Sequence, residues 1–190
     1  MSKRNTCYIL RGLPGTGKSR LASLIRGANA GDNYYVEVFS TDDLFINDEG
    51  VYEFDADLLK WHHQENLRRA TEYFARIVDV QKEYPPEGYE MRAEGIAIID
   101  NTNVQQWEYQ PYIEAAEKYE WDVQIIALDW NEHDIPLYAK RTKHGVPEEA
   151  IQRMADRWEF YRNRYSYEDW TGRDINTAWF ETKLKNKTTT

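Results

Sequence analysis

This sequence of 190 residues has a single cysteine, no long apolar run and no excess of positive charge. Cys7 is the only cysteine, which excludes an intramolecular disulfide and a metal site built from several cysteines, so we expect it to fill space in a strand. No stretch approaches the roughly 18 consecutive apolar residues of a membrane helix, and no apolar signal region follows the basic pair near the start. These absences predict a cytoplasmic protein without a membrane segment.

Acidic side chains outnumber basic ones, with 33 Asp and Glu against 24 Lys and Arg and a formal net charge of −9. The summed field of such a surface repels a polyanion, so contact with nucleic acid would need a local basic cleft. Hydrophobic residues make up 41% of the sequence, which is enough for a buried core, and disorder is expected only at the ends. The kind of substrate must therefore be inferred from local motifs.

Strand and helix patterns alternate along the chain. Short runs rich in β-branched, aromatic and aliphatic residues predict strands at 6–10, 34–39, 96–100 and 123–128. Helical spacing of apolar residues predicts helices over about 18–26, 57–82 and 106–119, with a polar loop at 40–50. The alternation favours an α/β fold with a mainly parallel sheet of about four to five strands and helices on both faces.

A last apolar stripe lies near the end of the chain. Ile151, Met154, Trp158, Tyr161 and Tyr165 recur at helical spacing, which predicts a long final helix packed on the core. We expect one domain over residues 1–165, followed by a C-terminal extension over 166–190 whose end is frayed.

A glycine-rich segment follows the first predicted strand and fits the pattern G-x-x-x-x-G-K-[ST] at every position. Its residues are Gly12, Leu13, Pro14, Gly15, Thr16, Gly17, Lys18 and Ser19. The glycines let successive backbone N–H groups point at phosphate oxygens, and the helix that follows adds its positive end. Lys18 would reach the β- and γ-phosphates, and the Ser19 hydroxyl would hold Mg²⁺. The segment thus predicts a nucleoside triphosphate site with Mg²⁺, against the alternative of a glycine-rich turn without a ligand.

Further motifs follow in a fixed order between residue 11 and about residue 160. They are Arg11-Gly-Leu-Pro-Gly-Thr-Gly-Lys-Ser19, Ser40-Thr41-Asp42-Asp43, Tyr52-Glu53-Phe54, His63 with Asn66 and Arg69, Asp100-Asn101-Thr102-Asn103, Trp107-Glu108 with Pro111-Tyr112, and His144-Gly145-Val146-Pro147. This ordered set resembles one branch of the P-loop kinases, namely the kinase domains of phage polynucleotide 5′-hydroxyl kinases and the NEDD4-binding-protein-2-like proteins. The resemblance implies a P-loop kinase fold with a small lid.

The resemblance implies that Asp42 is the base that accepts the proton of the acceptor hydroxyl. Phosphoryl transfer independently requires such a carboxylate beside the γ-phosphate. The alternative is that Asp42 or Thr41 only caps a helix. Asp43 is a candidate substrate contact, and it could equally cap the helix, bind the metal through water or hold Asp42 in place.

The third predicted strand ends in Asp100, where P-loop proteins place a carboxylate that faces Mg²⁺, often through water. In the resembling kinases the next residues line the acceptor site, so Asn101, Thr102 and Asn103 are candidates to hold the acceptor's phosphate or sugar. The alternative is a polar turn at the end of a strand.

The resemblance places a lid near 141–150. Arg141 is our candidate for the lid cation that contacts ATP and stabilises charge on the transferring phosphoryl group. Lys143 and His144 are weaker candidates, because basic residues at a helix end also complement the helix dipole. His63, Asn66 and Arg69 could buttress the loop of Asp42, or simply pack in the core or on the surface.

These features predict an ATP- and Mg²⁺-dependent kinase acting on a hydroxyl of a nucleic acid or nucleotide-like acceptor, most simply a polynucleotide 5′-hydroxyl end. Alternative acceptors are a hydroxymethylated pyrimidine in DNA and a small nucleoside or metabolite. An alternative of another class is a nucleotide-dependent switch or binding module. Oligomeric state and the preference for ATP over GTP stay open at this stage.

Overall fold

The computed structural model describes residues 5–31, 34–83 and 94–159. Four strands are present in the described residues: β1 (Thr6–Arg11), β2 (Tyr34–Phe39), β3 (Glu94–Asp100) and β4 (Asp122–Ala127). The helices of the same residues are α1 (Lys18–Ala28), α2 (Leu59–Glu83), α3 (Gln106–Lys118), α4 (Ile135–Arg141) and α5 (Glu148–Asp156). Short 3₁₀ helices lie at Asp42–Phe45 and Glu132–Asp134.

The four strands form one parallel sheet in the order β2-β3-β1-β4. Helices cover both faces, as the predicted fold class requires. On one face α2 and α3 pack on a core that contains Phe74, Tyr109 and Trp121, and on the other α1 packs through Leu21 and Ile25. The predicted α/β fold with a mainly parallel sheet is therefore confirmed. No helix in the described ranges has both the length and the apolar character needed to cross a membrane.

Cys7 lies on β1 with no exposed surface, and its thiol is free. Burial raises the pKa of this thiol, because the charged thiolate is disfavoured away from water. The prediction that Cys7 fills space in a strand is confirmed.

A third group of buried residues holds α4 and α5 against the glycine-rich loop. Leu13 packs there with Ile135 and Tyr138 of α4 and with Ile151 of α5. The segment 141–150, where the lid is predicted, includes the end of α4, a short loop and the start of α5. Packing on Leu13 places this segment beside the glycine-rich loop.

The predicted long final helix is wrong. Helix α5 ends at Asp156, where the backbone N–H groups of Arg157 and Trp158 turn back to Met154 and Ala155. The Trp158 ring then packs edge-on against Trp130 and lies over the guanidinium of Arg11. The apolar spacing correctly marks buried contacts, but Trp158 makes them from beyond the helix. Tyr161, Tyr165 and the predicted extension 166–190 lie outside the described residues.

Gly95 near the start of β3 is required by close packing. A Cβ atom at this position would lie 2.6 Å from Cη2 of the buried Trp121 and 2.8 Å from Cγ2 of Ile77. Substituting Gly95→Ala should lower the free energy of unfolding by about 1–3 kcal/mol, because neither neighbour is the free end of a flexible chain. Urea unfolding followed by circular dichroism measures the change.

The matched control is Gly27→Ala in α1, where a Cβ atom would meet nothing within 4 Å. Alanine favours a helix over glycine by about 0.5–1 kcal/mol, so this variant should be slightly more stable than the wild type. Equal stability of the two variants would contradict the packing of Trp121 on Gly95.

Candidate functional site

The glycine-rich loop connects β1 to α1 and closes on its own lysine. Lys18 Nζ donates hydrogen bonds to the carbonyl oxygens of Gly12 at 2.9 Å and Leu13 at 3.1 Å. The side chain is buried, and this burial lowers the pKa of Lys18 to about 8, although Asp100 and Asp42 favour its charged form. The cation is thus held at the centre of the loop and faces two carboxylates.

Two glycines of the loop need their conformational freedom. Gly15 has φ +79° and Gly17 has φ +103°, both in the left-handed region that side chains disfavour. A Cβ atom on Gly15 would also lie 2.2 Å from the Tyr138 carbonyl oxygen of α4. Backbone of α4 therefore approaches the loop as closely as a glycine allows.

Asp100 ends β3, next to β1 in the sheet, and its carboxylate accepts a hydrogen bond from the Ser19 hydroxyl. Burial raises the pKa of Asp100, while Ser19 and then the Lys18 cation oppose that shift. The structure therefore brings together the two residues that the sequence assigns to the metal. A hydroxyl and a carboxylate beside a phosphate-binding loop are the oxygen donors that Mg²⁺ takes, so these residues fit the ion.

Asp42 and Asp43 open the 3₁₀ helix that follows β2, and the side chains of both reach solvent. The preceding Thr41 is buried, and its backbone N–H donates to Asn101 Oδ1 at 2.9 Å. Its hydroxyl lies 3.2 Å from His63 Nδ1 and makes no capping bond. A hydrogen bond therefore joins the loops after β2 and β3 at the residue that precedes Asp42.

His63 contacts the loop that carries Asp42, in agreement with its predicted role as a buttress of that loop. Asn66 instead lies in the core. Asn66 is fully buried, and its side-chain amide donates to the Tyr112 hydroxyl at 3.0 Å. Partial burial lowers the pKa of His63, opposed by Glu108 and Asp42. A neutral imidazole is suited to its contact with the Thr41 hydroxyl.

Three basic side chains act on the Asp43 carboxyl. Partial burial raises the pKa of its carboxyl, while Arg69, Lys143 and His144 act in the opposite direction. Arg69 belongs to α2, and the other two follow α4, so charges from two sides of the sheet edge meet at this loop.

The predicted acceptor residues differ in how far the scaffold already uses them. Asn101 is 9% exposed and supports Thr41, as described above. Asn103 is 2% exposed with φ 48°, and its amide donates to the Leu10 carbonyl at 2.8 Å. The half-buried Thr102 accepts the Gly12 N–H through its backbone carbonyl. The side chain of Asn103 thus behaves as in the alternative of a polar turn, whereas that of Thr102 makes no such bond within the described residues.

Arg141 is the last residue of α4 and is exposed. Its guanidinium bonds none of the residues that the structure describes. Arg141 lies in the last turn of α4, as the helix-dipole alternative expects, whereas Lys143 and His144 follow the end of the helix. Lys143 and His144, rather than Arg141, act on the Asp43 carboxyl, and the His144 ring stacks on Tyr52.

Sequence reasoning missed the role of Arg11. The side chain is 1% exposed, and its guanidinium donates to the backbone carbonyls of Asn103, Val104 and Glu159 at 2.7, 2.9 and 2.6 Å. The rings of Tyr109 and Trp158 lie 4.7 Å from it. The only signal in the sequence is a charged residue at the end of an apolar strand, directly before Gly12.

Replacing Arg11 by lysine should lower the free energy of unfolding by about 2 kcal/mol or more. A lysine keeps the charge but cannot reach three separate carbonyls in fork geometry, and each hydrogen bond from a charged group contributes roughly 1.5–3 kcal/mol. Urea unfolding measures stability, and amide hydrogen exchange over residues 101–105 measures loosening of the loop after β3. The exposed Arg26→Lys is the matched control, and equal behaviour of the two variants would contradict the role of Arg11.

Comparison with known proteins identifies the family. The family model described as an AAA domain matches residues 8–161. NEDD4-binding protein 2 of Homo sapiens is 36% identical over 165 residues, which cover 83% of this chain but only 8% of that protein.

Solved structures share the fold at low identity. A candidate kinase from Chloroflexus aurantiacus superposes with a TM-score of 0.58 at 11% identity, covering 98% of this chain and 99% of that one. Kti12 of Chaetomium thermophilum, in complex with ADP-AlF3, gives 0.52 at 11% identity, with coverage of 95% and 96%. The chain belongs to the AAA domain family and is a P-loop kinase-like domain related to NEDD4-binding protein 2.

Proposed function

We propose that this chain is an ATP- and Mg²⁺-dependent kinase that transfers the γ-phosphate to a hydroxyl of a nucleic acid, most simply a polynucleotide 5′-hydroxyl end. One observation carries the proposal. The phosphate loop after β1, the exposed Asp42 after β2 and Asp100 after β3 meet at the carboxyl edge of the sheet, where doubly wound folds bind their ligands.

The glycine-rich loop supplies the nucleotide site. Its backbone N–H groups and the N-terminus of α1 would hold the phosphates, with Lys18 turning from the loop carbonyls to the β- and γ-phosphates. Ser19 and Asp100 would hold Mg²⁺, Asp100 through water, and the ion would neutralise charge on the phosphate oxygens. Lys18 and Arg141 would stabilise the charge that spreads over the transferring group.

Asp42 is the proposed base. As the acceptor oxygen attacks the γ-phosphorus in line, its proton passes to the Asp42 carboxylate, and the bond to the leaving ADP oxygen breaks. The side chain is exposed, so an acceptor can approach it, and Lys18 interacts with its charge from the nucleotide side. An exposed carboxylate beside the phosphate site favours transfer to an acceptor over a switch that only hydrolyses its nucleotide.

A nucleic-acid acceptor is supported by local charge as well as by the resemblance of the sequence motifs to those of phage polynucleotide 5′-hydroxyl kinases. Arg69 and Lys143 act on the Asp43 carboxyl and supply local positive charge despite the net charge of −9. Asp43 would then accept from a sugar hydroxyl, because a carboxylate repels phosphate. Thr102, Asn101 and Asn103 form the neighbouring wall, where Thr102 has the more accessible side chain.

Nucleotide affinity should fall as the pH rises through about 8. Phosphate binding needs the Lys18 ammonium, and burial lowers the pKa of Lys18 to about 8 in the free protein, so the charged form is lost above that pH. Linkage then predicts that the Kd of a fluorescent ATP analogue with Mg²⁺ rises about tenfold between about pH 7 and about pH 9. The Lys18→Ala variant, which lacks the group, should bind more weakly and lose this dependence. An identical pH profile in both proteins would contradict the assignment.

Transfer of labelled γ-phosphate from ATP to a 5′-hydroxyl oligonucleotide tests the function directly. Asp42→Asn should reduce the rate about 100-fold or more, because a positioned proton acceptor contributes roughly 100- to 10,000-fold. Asp48→Asn changes another exposed carboxylate of the same loop and should leave the rate near that of the wild type. Chelation of Mg²⁺ should stop transfer by the wild type and by Asp48→Asn.

The same assay separates the acceptors. Label on internal hydroxymethylated bases of circular DNA, or on free nucleosides only, would replace the acceptor and keep Asp42 as base. Hydrolysis of ATP without transfer to any acceptor, unchanged in Asp42→Asn, would overturn the kinase proposal in favour of a switch.

A further inference from the structure

Two aromatic rings join the loop after α4 to the segment that follows Asp42. The ring centroids of Tyr52 and His144 are 3.8 Å apart, and their planes are inclined by 22°, so the rings are stacked. Ninety-two positions separate the two residues in the sequence. We call this contact the Tyr52–His144 pair. The pair links the proposed lid to the segment that follows the proposed base.

Tyr52 also contacts the proposed base. Its hydroxyl lies 3.5 Å from Asp42 Oδ1, at the outer limit of a hydrogen bond. Partial burial and the charge of Asp42 raise the pKa of Tyr52 to about 12, so the phenol keeps its proton at neutral pH and acts as the donor. Hydrogen bonds at catalytic groups are often long before substrate binds and shorten in the complex.

The segment that carries Tyr52 is held in place locally. Val51 donates to Asn47 Oδ1 at 2.9 Å, and Glu53 donates to the Phe45 carbonyl at 2.8 Å. The buried Phe45 packs against the Tyr52 ring. Tyr52 therefore has a fixed backbone, and only the orientation of its ring needs a further contact.

His144 supplies that contact from a second ordered loop. The Val146 N–H donates to Thr142 Oγ1 at 3.0 Å, and Thr142 Oγ1 donates to the Ala139 carbonyl of α4 at 2.9 Å. These bonds tie the position of His144 to the end of α4, and α4 in turn packs on the glycine-rich loop. A rigid connection thus runs from the nucleotide site to the ring that faces Tyr52.

We propose that Tyr52 is a positioning residue for Asp42 and that His144 fixes the Tyr52 ring by stacking, so that the loop after α4 orients the base. The hydroxyl of Tyr52 holds Oδ1 of Asp42 and leaves Oδ2 for the proton of the acceptor. This inference rests on the proposed function only for the role of Asp42 as base. The contacts themselves are independent of any activity.

The variants separate the hydroxyl from the stacking. Tyr52→Phe removes the hydroxyl and keeps the ring. His144→Ala removes the stacked ring together with the imidazole, whereas His144→Phe removes the imidazole and keeps a ring, so the comparison of the two isolates the stacking. Tyr35→Phe on the exposed face of β2 and His133→Ala on the surface are the matched controls.

The first readout needs no acceptor. With ¹³C-carboxyl aspartate, the Asp42 signal, assigned through its loss in Asp42→Asn, should move in Tyr52→Phe and His144→Ala. It should stay in place in His144→Phe and in both controls. The proposal would be overturned if the chemical shift of Asp42 were unchanged in Tyr52→Phe, or if it moved equally in His144→Phe and His144→Ala. Either result would count whether or not the protein is a kinase.

The second readout is transfer to the 5′-hydroxyl oligonucleotide. We expect Tyr52→Phe and His144→Ala to lower kcat about tenfold, part of the roughly 100- to 10,000-fold contribution of the base, with less than about a twofold change in KM for ATP. His144→Phe keeps a stacked ring and should therefore lower kcat less than His144→Ala does. A kcat of Tyr52→Phe equal to that of the wild type would overturn the positioning role, whereas the absence of transfer by the wild type would count against the proposed function alone.

Discussion

The guanidinium of Arg11 lies buried where β1 reaches the carboxyl edge of the sheet, and the geometry of that edge depends on it. Removing a charge from water costs several kcal/mol, and three carbonyl acceptors together with two aromatic rings offset this cost. Such a group adds little net stability, but its loss would leave the Asn103 carbonyl without its donor and the Val104 carbonyl with the Glu159 N–H alone. Arg11 therefore fixes where the loop after β3 lies relative to the phosphate loop, which begins at the next residue.

Strand order explains why this loop matters for the chemistry. Because β3 lies between β1 and β2, the turn after β3 contacts both the phosphate loop and the loop of Asp42. Thr102 accepts the Gly12 N–H on one side, and Asn101 accepts the Thr41 N–H on the other. A single ordered turn thus sets the separation between the nucleotide and the proposed base.

The local parts of this arrangement could be predicted from the sequence. The bounds of β2 match the predicted 34–39, and the other strands and first three helices differ from their predicted ends by at most about two residues, because their apolar periodicity is strong. The pattern of the phosphate loop placed Lys18 and Ser19, and the position of Asp100 at a strand end placed it beside them. These predictions depend on residues that are close in sequence or on neighbouring strands.

What escaped prediction depends on contacts between distant segments. Arg11 donates to carbonyls more than ninety residues away in the sequence. Every residue has a backbone carbonyl, so the sequence does not indicate which carbonyls a side chain will contact. The Tyr52–His144 pair joins two loops whose mutual position only the folded sheet defines. Trp158 packs on the core as predicted, but it lies beyond the end of α5. Regular spacing of aromatic residues indicates contact with the core and does not establish that the backbone between them is helical.

Burial separates a fixed scaffold, together with the buried Lys18 and Asp100, from two proposed reactive groups that are open to solvent. Arg11, Asn101 and Asn103 are at least nine-tenths buried, and their hydrogen bonds hold the turn after β3 without any ligand. Ser19 and Asp42 are exposed, so water solvates them until a ligand takes its place. Electrostatic interactions strengthen when water is excluded, and the scaffold has already fixed the direction from which these groups act. The loops that would exclude water are those that the Tyr52–His144 pair connects.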